Sequence, residues 1–159
     1  MKDPSMIALL VKPFVIGAKL QIKRYEQARV LCEEDAILGT NLCMHEVSAL
    51  FEDLATIAYY LKVIDLSHPN HDLWIDVRHH LRHDLREELD KDEAKKSGRA
   101  KRLKINQNLQ MDLGFKEDSI KVGDTVIKLT EVTSYLDWAS REVGKIFKKG
   151  VEQGRIKPS

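Results

Sequence analysis

Apolar side chains return every three or four residues over four separate stretches of this chain. That spacing lines one face of an α-helix and cannot be buried as a strand. In the first stretch Phe14, Ala18, Ile22 and Tyr25 recur behind Pro13, which predicts a helix over 13–33 that Pro13 starts or kinks. Gly39-Thr40-Asn41 reads as a turn with a capping residue, and it opens the pattern Leu42, Ala49, Leu50, Leu54, Ile57, Leu61, Ile64 of a second helix over 41–64. After the loop chemistry of Ser67-His68-Pro69-Asn70, the series Leu73, Trp74, Val77, Leu81, Leu85, Leu89 predicts a third helix over 72–90. Val132, Leu136, Ala139, Val143, Ile146 and Phe147 predict a last helix over 130–149, with Thr130 as its cap.

Two segments break the helical pattern. Ser119-Ile-Lys-Val and Thr125-Val-Ile-Lys flank Gly123-Asp124 and are rich in β-branched residues, so residues 119–128 read as a two-residue β-hairpin inserted on a helical body. Residues 91–104 are almost wholly charged and interrupted by Ser97-Gly98, the composition of an exposed, mobile connection. The expected class is therefore all-α, a four-to-five-helix up-down bundle carrying a small hairpin, with all 159 residues in one domain.

Twenty-six Lys and Arg balance 25 Asp and Glu, so no field over the whole molecule holds nucleic acid and any such site must be local. Cys32 and Cys43 are too few for a disulfide framework and form no CxxC pair, which places the chain in the reducing cytoplasm. The apolar run Met6–Ile16 is interrupted by Lys12 and Pro13 and falls short of the roughly 20 residues of a membrane span, so no membrane association is expected.

The chemistry concentrates on the third helix. At about 100° per residue, with Arg78 at zero, the apolar residues Trp74, Val77, Leu81, Leu85 and Leu89 fill one arc. Arg78 lies inside its margin, and Arg82, Arg86, His79 and His83 follow in order around one edge. For Arg82 and Arg86 this also describes a solvated flank with packed stems. Arg78 demands a buried partner. On the second helix Glu46 and Asp53 both sit within the apolar stripe, and buried carboxylates need compensation, so either is expected to pair with Arg78. As an alternative, His79 and His83 have the i,i+4 spacing of metal ligands, but there is no HExxH motif and no third ligand. No GxSxG motif and no phosphate-cradling glycine loop occurs, and no cofactor is indicated.

Arg78-His79-His80-Leu81-Arg82-His83 resembles the R-x4-6-H motif of the HEPN superfamily, small helical bundles that include RNA-cleaving toxins and CRISPR-associated ribonucleases. The resemblance implies a metal-independent endoribonuclease of toxin or defence type. Arg78 and His83 would be its catalytic pair, His79 the polar residue after the arginine, and Glu46 or Asp53 the acid of a preceding helix. It further implies a homodimer in which two motifs share one cleft, RNA as substrate, and an antitoxin or other protein partner. Arg82, Arg86, Lys95, Lys96, Arg99, Lys101 and Arg102 would then hold the RNA backbone. In a continuous α-helix Arg78 and His83 stand about 140° apart, so the pairing requires a bend, a helix end or a second subunit. The competing reading is a non-catalytic helical module that binds protein or nucleotide, with Arg78 in a structural salt bridge.

Overall fold

The structure, a computed structural model, describes residues 3–84 and 113–156, with the side chains of His83 and Asp84 excepted. Helix α1 (Pro4–Glu34) is followed after the single residue Asp35 by α2 (Ala36–Val63). Then come α3 (His71–His79), a π-helical segment (His80–Asp84), strands β1 (Leu113–Phe115), β2 (Ser119–Val122) and β3 (Thr125–Lys128), and α4 (Leu129–Glu152). The protein is thus mostly helical with a small antiparallel sheet, strand order β1-β2-β3. The expected connection over 91–104 lies outside the described residues.

Helix α1 begins earlier than Pro13 because Asp3 caps it: the Asp3 carboxylate accepts from the Ser5 N–H at 3.0 Å, and Pro4 occupies a position where its missing N–H leaves no bond unmade. The helix continues through Pro13, so the apolar run is not interrupted structurally. By length and composition α1 is long enough and apolar enough to cross a membrane, and 39% of that window is buried inside the protein. Its inner face, Ile7, Val11, Val15, Ala18, Ile22, Tyr25 and Ala28, packs into the core, while Met6, Leu10, Ile16 and Leu20 are exposed.

Gly39-Thr40-Asn41 is not a turn. The break lies at Asp35, whose backbone N–H bonds Leu31 O and whose side chain accepts from the Leu38 N–H at 3.0 Å. Gly39 serves close approach instead: a Cβ there would fall 2.5 Å from the Cys32 nitrogen. Next to this contact Cys43 is fully buried, and burial pushes its thiol up to about 12, while Cys32 is half-buried; neither forms a disulfide. Similarly, α4 starts at Leu129 after Lys128, one residue ahead of the expected Thr130 cap.

The hairpin is present in the expected register, with Val122 opposite Thr125 across Gly123-Asp124. Gly123 has φ 61°, while Asp124 is not among the positive-φ residues, the pattern of a type II′ turn. The strand Leu113–Phe115 adds a third member that periodicity over three residues did not reveal. The Tyr25 hydroxyl fastens the sheet to α1, within 2.6 Å of Lys116 O and 3.1 Å of Ser119 O. Helix α2 packs between α1 and α3, and α4 lies against α1.

Candidate functional site

The end of α2 sets where α3 begins. Asp65 adopts φ 59°, the Leu66 N–H bonds Leu61 O at 3.0 Å and the Asp65 N–H bonds Lys62 O at 3.1 Å. This pair of bonds closes the helix as a Schellman motif. It also points Leu66 O at the His71 ring, 2.9 Å from Nε2. A carbonyl only accepts, so Nε2 carries the proton, and Nδ1 accepts from the Tyr135 hydroxyl at 3.0 Å. His68 stacks beside it on Trp138, with ring centroids 4.6 Å apart, and its Nδ1 accepts from the Asn70 N–H. Burial lowers the pKa of both histidines. With both nitrogens engaged, His71 is a packing residue. Among the described residues no group of three or more His, Cys, Asp or Glu side chains comes together to hold a metal.

The other end of α3 is organised differently. Trp74 and Val77 are fully buried and Leu81 nearly so, as the helical wheel requires, and this turns Arg78 toward α2. There it meets Glu52 in a two-pronged ion pair: Arg78 Nε donates to Oε2 and Nη2 to Oε1, each at 3.0 Å. Arg82 Nη1 donates to the same Oε1 at 3.2 Å. The bonds from Glu52 raise the Arg78 pKa, against the smaller opposing effect of burial. His79 is not among the residues lining the groove between α2 and α3; its Nε2 lies 3.4 Å from the Tyr59 hydroxyl.

Glu52, and neither Glu46 nor Asp53, is therefore the partner of Arg78. Asp53 faces α1: a Cβ on Gly17 would meet its Oδ2 at 2.8 Å. Burial raises the Asp53 pKa, opposed by a hydrogen bond from Gln21. Glu46 is half-buried and does not line the groove where the arginines lie. The wheel failed here because α2 is sandwiched, so the centre of its apolar stripe does not face α3. The residues that do are His45, Ser48, Ala49 and Glu52, spaced i, i+3, i+4, i+7 along one edge. This signal was present in the sequence, and it matches the edge formed by Arg78, Leu81 and Arg82.

Together these seven residues line an open groove of about 320 Å³ between α2 and α3. Two guanidinium groups, one carboxylate, an imidazole and a hydroxyl leave it with an excess of positive charge over its single carboxylate, suited to an anion.

The backbone changes character at the motif. From His80 to Asp84 the helix is π, with bonds reaching i→i+5, so each residue turns through less than the α-helical angle. Backbone position 83 is thereby drawn back toward the side of position 78, relative to the wide separation of a continuous α-helix. The His83 side chain, with Arg86, Lys95, Lys96, Arg99, Lys101 and Arg102, lies outside the described residues.

Comparison with family models, with curated proteins and with solved structures finds no match to this chain.

Proposed function

We propose that the chain is a HEPN-like endoribonuclease that cleaves RNA without a metal, with the α2/α3 groove as its reaction centre. The observation that carries the reading is the π segment. It begins two residues after Arg78 and contains His83, at the point where an R-x4-H pair on one helix needs a departure from α geometry. In this reading a guanidinium of the groove stabilises the charge of the pentacoordinate phosphorus, and His83 transfers a proton near neutral pH. The helices form an up-down bundle, and a homodimer brings two grooves together in the cytoplasm, with an antitoxin or other protein as regulator.

The test is cleavage of single-stranded RNA by the full chain in the presence of EDTA. Activity lost in both Arg78→Ala and His83→Ala, each with wild-type circular dichroism, supports the reading. RNA left intact by the wild-type protein overturns it.

The non-catalytic module keeps one specific support, namely that Glu52 takes up both donors on one edge of the Arg78 guanidinium. It predicts that Arg78→Ala unfolds the protein while His83→Ala behaves as wild type.

A further inference from the structure

The two arginines of the groove are not equivalent. Arg78 has its side chain 20% exposed and is gripped through two nitrogens by Glu52. Arg82 has its side chain 51% exposed and meets Glu52 through the single nitrogen Nη1. A phosphate binds a guanidinium best through two parallel N–H donors on one edge. Glu52 already takes both donors of the Nε–Nη2 edge of the largely buried Arg78, whereas the half-exposed Arg82 is held through Nη1 alone and lines the groove.

Proton transfer raises a second point. When RNA is cleaved by its own 2′-hydroxyl, O2′ attacks phosphorus while its proton passes to a base. The P–O5′ bond breaks as an acid protonates the departing oxygen, giving a 2′,3′-cyclic phosphate and a free 5′-hydroxyl. The attacking and leaving oxygens lie on opposite sides of phosphorus, so two proton-transferring groups are needed from two directions. The Arg-x4-His pair supplies one histidine, His83, from the same segment of chain as Arg78. The opposite wall offers another, His45, which lines the groove from α2, one turn from Ser48 and two turns from Glu52.

Resting on the ribonuclease reading, we propose that Arg82 is the phosphate-binding arginine of the groove, that Arg78 and Glu52 are its positioning residues, and that His45 is a further catalytic residue, transferring a proton at the bound phosphodiester from the α2 side. The Glu52 carboxylate both fixes Arg78 and competes with the phosphate for Arg82.

The experiment separates binding from cleavage. Binding is read by fluorescence anisotropy with a single-stranded RNA whose 2′-hydroxyls are methylated and which cannot react. Cleavage is read on the unmodified strand in EDTA. R82Q is expected to weaken binding by about tenfold or more, the loss of a charge-assisted bond. E52Q is expected to tighten it, since the competing carboxylate is gone. H45Q is expected to bind within about twofold of wild type and to cleave about a hundredfold more slowly, the usual contribution of one proton-transfer group. A folded R82Q that binds as wild type, or an H45Q that cleaves as wild type, overturns the proposal while leaving the ribonuclease reading standing. If the wild-type protein does not cleave RNA, that reading fails and inorganic phosphate becomes the probe. A shift of the His45 ring resonances on phosphate addition, absent in R82Q, supports the anion site, and no shift overturns it.

Discussion

The two ends of α3 use polar side chains to opposite purpose. At the start, His71 is 3% exposed and Trp74 fully buried, and both ring nitrogens of His71 have partners. At the other end Arg78, in the last turn of α3, and Arg82, on the π segment that follows, gather on a single carboxylate beside an open groove. Polar groups satisfied within the fold stabilise one conformation. A groove with more cation than anion leaves interaction capacity for a ligand.

The largest effect should come from breaking the packed end. Trp74 touches Phe51 and Tyr135 with ring centroids 5.8 and 5.5 Å away, and Trp74→Ala should destabilise the protein by about 3–5 kcal/mol in chemical denaturation. A loss below about 1 kcal/mol would show that α3 is not anchored there.

At the open end the effect is smaller. A double-mutant cycle on Arg78→Met and Glu52→Gln should give a coupling of about 1 kcal/mol, because Glu52 is 45% exposed and water screens the pair. The same cycle with Glu46 should give none, and coupling to Glu46 would mean that α2 is rotated relative to α3.

The third test uses acid. Burial lowers the pKa of His68 and His71 from 6.5, opposed by Glu131 at His68 and by the Leu66 hydrogen bond and Asp72 at His71. The unfolded chain therefore binds protons near pH 6.5 that the folded chain takes up only at lower pH. Stability is complete above this range and falls as the pH drops through it. Tm should decline between pH 7 and pH 5, and less steeply in His71→Gln. An unchanged slope in that variant would show that His71 carries none of the acid sensitivity.

Much of the helical framework was legible in the sequence, since burial of one face repeats at the helical period. Trp74, Val77 and Leu81 are where that period puts them, and Gly123-Asp124 makes the expected hairpin turn. What misled was local chemistry with two physical uses. Gly39 allows two helices to touch where a turn was expected, and Pro13 is carried inside a helix that the flanking turns hold together. The site was half legible. Arg78 was marked by its place at the apolar margin, but its partner was misassigned, because a single helical wheel assumes one packing direction and α2 has two.

The sequence by itself determined which faces must be buried, because the hydrophobic effect acts on residues in fixed helical order. Only the tertiary structure decided that Glu52 meets Arg78, that His45 enters the same groove, and that the backbone turns from α to π within the motif. Those outcomes depend on how helices rotate against one another, and that rotation is settled by the packing of all of them at once.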